Sequence, residues 1–296
     1  MRTLLHAFIL LFSLSAAAQD NTDSLLNSGS QPKKEYVDNA FKSPRVIMGQ
    51  SIEMLGAGVL DFRILHRFGP IKDGIKEMFG LDQATMRMSF DYGVTKNLTV
   101  GLGRSTLNKE LDASVKYRLL QQAKGGKNVP ASIILVAGIT CNTKEWNDPT
   151  RKNYFSSRLG YFYQLLAGRK FSEKFTLQLS PTYVHRNFVE LSADKNDMAA
   201  LGIGSRFKFS RRMALVVDAF PIVYGARSGY NQMPLSVGVD IETGGHVFQL
   251  HFSNARGMNE KAFITETTQK WGKGEVQFGF NLSREFTIKK NKTASW

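Results

Sequence analysis

Three polar residues near the C-terminal end of the chain, His251, Ser253 and Asn254, follow one another in the order His-x-Ser-Asn. A serine hydroxyl becomes a nucleophile when a histidine base lies within hydrogen-bond reach and a third polar group orients that base. In an extended strand, residues two positions apart point to the same face, so His251 and Ser253 share one side. The string therefore indicates one candidate chemistry, that of a serine hydrolase.

The residues that alternate with this string decide which way it faces. Phe248, Leu250 and Phe252 occupy the opposite side of the same strand. If those three apolar side chains face lipid, His251 and Ser253 point away from any lipid substrate. The other histidines are scattered and form no metal-ligand spacing. We therefore predict no catalytic residues, no metal and no cofactor.

The same alternation of apolar and polar residues extends over most of the chain, and residues 84–105 show it best. Met86, Met88 and Phe90 alternate with polar residues on one arm, and Leu98 and Val100 begin the same pattern on the other. Only residues 95–97 separate the two arms, which predicts a tight β-hairpin.

Twelve segments of this kind follow one another, and the connections between them are alternately short and long, except that 121–130 is longer than a turn and 106–109 is shorter than a loop. An even number of strands with short turns at one rim and long loops at the other is typical of bacterial outer-membrane barrels. The chain is therefore predicted to be all-β, a transmembrane antiparallel up-and-down β-barrel; the alternative is a soluble β-sandwich or solenoid. The predicted strands are 59–68, 84–94, 98–105, 110–120, 131–140, 154–167, 175–186, 198–209, 213–222, 235–242, 247–253 and 275–286.

The ends of the chain have a different composition. Residues 1–18 combine a basic start, a short apolar core and a small-residue cleavage site, which predicts a cleaved signal peptide. Residues 19–57 are predicted to be an N-terminal extension, lumenal or periplasmic, in which 36–57 form either an additional strand or a plug. Residues 58–288 form the predicted barrel, and 289–296 a basic tail. The apolar runs are too short for a membrane-spanning helix.

Charged residues on the polar face of these strands would point into the barrel. Mixed signs in a narrow lumen indicate salt bridges that hold the wall apart; because basic residues outnumber acidic ones, a mildly anion-preferring passage is the alternative. Twelve strands lie between a filled small barrel and an open pore, so a narrow or plugged lumen is expected. The lumen-facing candidates are Arg63, Arg67, Arg87, Asp91, Lys116, Arg118, Arg158, Arg206 and Asp240.

Glycines also recur on the polar face. Glycine weakens a strand, and one of its uses there is to let another backbone or a ligand come close. We expect these positions to clear space for a lumenal segment, either 41–58 or the connection 68–84; relief of wall curvature is the alternative. The lumenal glycines are Gly101, Gly103, Gly202, Gly204, Gly238 and Gly279.

From about Tyr36 to Lys289 the chain resembles an uncharacterised family of bacterial outer-membrane β-barrel proteins, a domain of unknown function. Segments that carry the resemblance include VLDFRILHRFG, ATMRMSFDYGVT and DIETGGHVFQLHFSN. The resemblance implies the fold and the location but no activity. The His251–Asn254 string is similar to that of outer-membrane phospholipase A, although Ala255 stands where that family has glycine.

The net charge of +14 and pI of about 9.8 are compatible with anionic partners, or with solvated lysines in turns and tails. A secreted chain is not expected to bind nucleic acid. The expected partners are outer-membrane lipids, a small anionic or lipid solute, and other envelope proteins. The expected role is passage or binding of a small solute or lipid; the alternatives are a non-conducting partner barrel in an envelope complex and, more remotely, a lipid hydrolase using His251 and Ser253.

Overall fold

The structure is a computed structural model that describes residues 33–126, 128–146, 149–150, 152–189 and 191–289. The proposed signal peptide and residues 290–296 of the proposed tail lie outside the described residues. Within them, twelve long strands and one short strand form a single antiparallel sheet. The long strands are β1 (Val59–Pro70), β2 (Ala84–Thr95), β3 (Leu98–Ser105), β4 (Glu110–Leu120), β5 (Ser132–Asn142), β6 (Leu159–Lys170), β7 (Phe175–Arg186), β8 (Asp197–Lys208), β9 (Met213–Ala219), β10 (Leu235–Thr243), β11 (His246–Ser253) and β12 (Gln277–Thr287).

The sheet closes on itself. Each long strand pairs with its neighbours in the chain, and β12 pairs back with β1, from Gln277 opposite Pro70 to Thr287 opposite Val59. Closure leaves no unpaired edge, which is the requirement for strands that cross a lipid bilayer. The predicted twelve-stranded up-and-down barrel is confirmed.

The predicted hairpin shows how the wall separates lipid from lumen. On β2, Met88 and Phe90 are 41% and 51% exposed on the outside, whereas Arg87, Ser89 and Asp91 are buried on the inside. Because side chains alternate along a strand, one apolar belt and one lumenal face arise from the same residues.

Several strands have bounds that differ from the sequence prediction. The strand predicted at 154–167 starts at Leu159, because Phe155–Arg158 form a 3-10 turn. The strand predicted at 213–222 stops at Ala219, and Pro221, which has no N–H for the ladder, follows soon after. The last strand starts at Gln277 instead of residue 275.

The connections lie at two rims. The short-turn rim carries the turns at 96–97, 171–174, 209–212 and 244–245 and the longer connection after β4. The long-loop rim carries the connections after β1, β3, β5, β7, β9 and β11, of which the one after β3 has only four residues. None of the helices in the described part of the chain is long and apolar enough to cross a membrane. The short elements are the strands Glu35–Tyr36, Ala123–Lys124 and Ile222–Tyr224, the 3-10 helices Ile71–Asp73, Ile75–Gly80, Leu107–Lys109, Phe155–Arg158 and Trp271–Lys273, and the α-helix α1 (Glu260–Glu266).

Two segments fold into the barrel from opposite rims. The first, residues 38–58, enters from the short-turn rim and is called the plug below. The second, residues 254–267 with α1, enters from the long-loop rim. Both are largely buried. The connection 71–83 stays outside, where Ile75 is 75% exposed and Phe79 is 54% exposed.

Candidate functional site

The plug is a compact loop that turns back on itself inside the lumen. Arg45 pairs with Gln50 across the loop, the Val46 amide donates to the Gly49 carbonyl at 2.9 Å, and the Ser51 amide donates to the Pro44 carbonyl at 2.9 Å. Residues 46–49 therefore form its tip, which we call the plug tip. These internal bonds give the loop a defined shape, but they leave several of its backbone groups to be satisfied by the wall.

One carboxylate of the wall binds the plug tip. Oδ2 of Asp218, on β9, accepts hydrogen bonds from the amides of Met48 and Gly49 at 2.9 Å each and from that of Ile47 at 3.3 Å. Asp218 is 2% exposed. Three convergent N–H groups satisfy a buried carboxylate much as a helix N-terminus does, so this contact fixes the tip against β9.

Amide and ammonium side chains of the wall bind the carbonyl groups of the plug. Nε2 of Gln249 donates to the Val46 carbonyl at 2.6 Å, and Nδ2 of Asn281 donates to the Ile47 carbonyl at 3.1 Å. Nε2 of Gln178 reaches the Gln50 carbonyl at 2.8 Å, and Nζ of Lys116 reaches the Glu53 carbonyl at 2.6 Å. The plug is therefore held on several sides through its backbone.

The rest of the contact between plug and wall is apolar. A buried cluster joins the plug, the α1 segment and inward residues of β5–β9. Burial of this kind stabilises by about 25 cal/mol per Å² of apolar surface. From the plug come Ala40, Phe41, Val46, Ile47, Met48 and Ile52; from β5–β9 and the residue after β9, Ile134, Val136, Phe162, Leu166, Val184, Met198, Ala200, Val216 and Phe220; and from the α1 segment, Ala255, Phe263 and Ile264.

The two inserted segments meet through a buried ion pair. Nη1 of Arg45, in the plug, lies 2.9 Å from Oε1 of Glu260, the first residue of α1. The next residue, Lys261, pairs with Glu110 at 2.8 Å and Glu266 at 2.6 Å. Burial by itself lowers the pKa of Lys261, but the two carboxylates outweigh it and raise the pKa above its ordinary value. The lysine is therefore a fixed positive charge on α1.

Seven of the nine lumen-facing candidates lie inside the barrel, none more than 8% exposed. Ion pairs join Arg63 to Asp61 at 2.6 Å, Arg87 to Asp112 at 2.5 Å, and Arg206 to Glu242 at 3.2 Å and Asp240 at 3.8 Å. Lys116 bonds to the plug. The buried candidates are Arg63, Arg67, Arg87, Asp91, Lys116, Arg206 and Asp240.

The other two candidates lie at the rims. Arg118 donates to the carbonyl of Lys96 and the side chain of Asn97, in the turn after β2 at the short-turn rim. Arg158 belongs to the 3-10 turn before β6, at the long-loop rim, and its guanidinium carbon lies 3.9 Å from the ring centre of Trp146. Arg118 holds an inward position of β4 but lies near the end of that strand. Arg158 precedes β6, so strand alternation does not apply to it.

The lumenal glycines make room mainly for side chains of the wall itself. At Gly204, an added Cβ would lie 3.0 Å from Val46 of the plug. This glycine therefore makes room for a lumenal segment, as expected. At the others, an added Cβ would approach wall groups to within 2.6 Å. These pairs are Gly101 with Asp91, Gly103 with Arg87, Gly202 with Phe220, Gly238 with His251, and Gly279 with His251 and the carbonyl of His66.

His251 and Ser253 are buried in the lumen, at 1% and 0% exposure. Oγ of Ser253 accepts from Oγ of Ser236 at 2.8 Å and from the Ala255 amide at 3.0 Å, and it shares no hydrogen bond with His251 among the described residues. The apolar neighbours Phe248, Leu250 and Phe252 occupy the lipid side, as the alternation predicts. This geometry gives the pair no contact with a lipid substrate.

Several wall residues that hydrogen-bond to the plug were not among the candidates. Asp218, Gln178, Gln249 and Asn281 all lie at inward positions of their strands. Strand alternation was the available signal for them. It gives the direction of a side chain but not its partner.

The protonation of Glu53, a residue of the plug, makes the stability of the docked plug depend on pH. Burial raises the pKa of the Glu53 carboxyl, although the amides of Phe41 and Ala40 and the ammonium of Lys116 act in the opposite direction. The docked plug therefore binds this proton more tightly than the unfolded chain. The contribution of Glu53 to the stability of the docked state is therefore largest in acid. It decreases as the pH rises from the ordinary carboxyl pKa through the raised pKa.

We expect the unfolding free energy of the wild type, minus that of Glu53→Gln, to fall as the pH rises through a range that starts at the ordinary carboxyl pKa of about 4.5, because the glutamine does not titrate. Urea unfolding of both proteins in lipid across this range measures the difference. A difference that stays constant or rises with pH would contradict the assignment.

Together, the closed apolar-faced wall and the filled lumen define a transmembrane β-barrel with a plug. The model of the membrane-bound beta barrel domain (DUF5777) matches residues 41–286, and the chain belongs to this family. The match begins within the plug and ends in β12, so it spans the plug tip as well as the wall. The predicted family, a barrel domain of unknown function, is confirmed. No curated protein matches the chain.

Several solved structures are similar to this chain. The NanC porin is 7% identical, with 77% of this chain and 98% of that chain covered and a TM-score of 0.49. The COG4313 outer membrane channel from Pseudomonas putida F1 is 12% identical, with 79% and 98% covered and a TM-score of 0.49. A mutant of Rhodopseudomonas blastica porin is 13% identical, with 68% and 55% covered and a TM-score of 0.32. At these identities the similarity concerns the fold alone.

Proposed function

We propose that the protein is a plugged passage in the bacterial outer membrane. In the docked state the plug and the α1 segment close the lumen. A small solute crosses when the plug tip leaves its site on β9 and the ion pair between Arg45 and Glu260 separates. The signal-peptide pattern of residues 1–18 and the membrane-barrel family support this location.

The observation that carries the proposal is the way in which the wall holds the plug tip. Asp218, Gln249 and Asn281 bind the backbone of the tip through hydrogen bonds. Water can replace each of these bonds, so the exchange costs little net free energy per bond, about 1 kcal/mol. The charged lumen beside the tip can rehydrate when the tip leaves.

A shortened plug tests the passage. Residues 45–50 are replaced by two glycines, a replacement that the chain can span because Oγ of Ser51 lies 2.6 Å from the Ser43 carbonyl. This removes the tip and the partner of Glu260 together. In planar bilayers we expect the wild type to stay at baseline and the shortened protein to show discrete openings.

Two results would overturn the passage. One is a wild type that conducts steadily, because the plug would then not close the lumen. The other is a shortened protein that folds, as judged by heat-modifiable gel mobility, yet stays as closed as the wild type. The second result would favour a non-conducting partner barrel.

The partner barrel is the second candidate because of the apolar cluster between the plug, α1 and β5–β9. Such a core can hold the plug permanently, with the outer surface or the loops binding other envelope proteins. It predicts no conductance from either protein and stable co-purification with envelope components.

A further inference from the structure

The long-loop rim contains a cavity of about 800 Å³, which we call the vestibule. Described residues of the connections after β5, β7 and β9 line its sides. Lys261, Thr265 and Glu266 of α1 contribute to its floor. Its lining residues belong to these loops and to the adjoining strand ends, so we place the vestibule on the aqueous side of the barrel and not against the lipid. A drug-sized or sugar-sized molecule fits this volume.

The vestibule carries more basic charge than its described carboxylates neutralise. Of the lining acids, Asp194 pairs with Arg227 at 3.1 Å and Glu266 pairs with Lys261 at 2.6 Å, which leaves Glu145. The lining bases that make no ion pair among the described residues are Lys144, Lys152, Arg158, Arg186 and Lys195.

The two guanidinium groups of this set are held in place without losing their charge. Arg158 donates to the Asn142 carbonyl at 2.8 Å, and Arg186 donates to the Lys195 carbonyl at 2.7 Å. A neutral carbonyl orients a guanidinium but does not neutralise it. Groups fixed in this way are preorganised for a carboxylate or a phosphate.

Aromatic rings lie beside these charges. Trp146 stacks on Arg158 with 3.9 Å between the guanidinium carbon and the ring centre, and Tyr230 stacks on Arg227 at 3.6 Å. Lys152 lies 5.1 Å from the ring centre of Tyr154. The cavity therefore offers flat apolar faces next to positive groups, a combination that suits an anion with a ring attached.

We propose that the vestibule is a binding site for a small soluble anion, a phosphate or carboxylate carried on an aromatic or sugar ring. This rests on the proposed function, for which it supplies the class of solute. The floor gives the site a connection to the passage, because α1 presents Lys261 to the vestibule and Glu260 to the plug.

Phenyl phosphate is the probe, titrated by calorimetry into the purified full-length protein in a neutral maltoside detergent. We expect saturable binding that weakens with added salt, and weaker or no binding of benzyl alcohol and benzyltrimethylammonium. In the variant Lys144→Gln/Lys195→Gln, affinity should fall about tenfold or more, because two charge-assisted contacts are lost. The matched variant Lys96→Gln/Lys174→Gln, at the short-turn rim, should bind as the wild type does.

No binding of phenyl phosphate, or equal affinity in both double variants, would overturn the site. A short-chain phosphatidylglycerol, titrated below its micelle concentration, separates a soluble ligand from a lipid headgroup. Binding of that lipid without phenyl phosphate would overturn the assignment to a soluble ligand. Calorimetry does not depend on conductance, so the two proposals can fail separately. If the wild type is closed in bilayers but does not bind phenyl phosphate, only the vestibule site is wrong. If it binds phenyl phosphate but conducts steadily, only the plugged passage is wrong.

Discussion

Replacement of Asp218 by alanine is expected to lower the free energy of unfolding by about 3 kcal/mol and to release the plug tip. The carboxylate accepts three buried amides, those of Ile47, Met48 and Gly49. Each buried donor left without an acceptor costs about 1–3 kcal/mol. The cost for the three amides is partly offset, because alanine, unlike aspartate, has no charge to bury. Hydrogen exchange at the three amides should accelerate by about 100-fold, as the same energy implies.

Asp218→Asn is the matched control, because it keeps the size of the side chain and one acceptor oxygen. Its effect on both quantities should be smaller than that of the alanine. If Asp218→Ala unfolds with the free energy of the wild type and the three amides exchange no faster, the carboxylate does not hold the plug tip.

The second large effect concerns the outer wall. Phe90→Arg should lower the unfolding free energy in lipid by about 2–4 kcal/mol, because Phe90 is 51% exposed at the middle of β2 and an arginine there would face hydrocarbon. Urea unfolding in liposomes measures the change. Leu102, its partner on β3, is 65% exposed, and Leu102→Arg should behave in the same way.

The control for this position is Phe90→Leu, which keeps an apolar side chain and should cost far less. Ser89→Arg is not a suitable control, because Ser89 is 0% exposed on the inside of the wall and the filled lumen has no room for an arginine. Equal stability of Phe90→Arg and Phe90→Leu would contradict a lipid-facing wall.

The wall was predictable because its signal is local. A strand such as β2 has one apolar face toward lipid, so every second residue of its sequence is apolar. The same reasoning placed Arg63, Arg87 and Asp240 inside. It failed at strand ends such as the start of β6, where a single 3-10 turn at 155–158 breaks the alternation.

The plug could not be derived in the same way. Residues 38–58 have no period, since their shape is set by partners far away in the chain, such as Asp218 and Asn281. The inward glycines and the apolar content of the segment, with Phe41 and Val46, indicated a lumenal segment but left 41–58 and 68–84 as alternatives. The α1 helix was missed for a related reason: its seven residues are too few to show a clear helical period.

A disulfide between the plug and the wall tests the central claim, that the plug tip lies in the lumen. A Cβ built on Gly204 of β8 lies 3.8 Å from the Cβ of Val46, close to the mean separation of about 3.8 Å in disulfides. We expect Val46→Cys/Gly204→Cys, with Cys141→Ser in the background, to form this bond on mild oxidation in the membrane. The pair Val46→Cys/Ile203→Cys, in which the second position faces lipid, should not form one. Mass spectrometry of non-reduced peptides measures the result. We predict a peptide linked between positions 46 and 204. Two free thiols in the folded protein would contradict the plugged barrel.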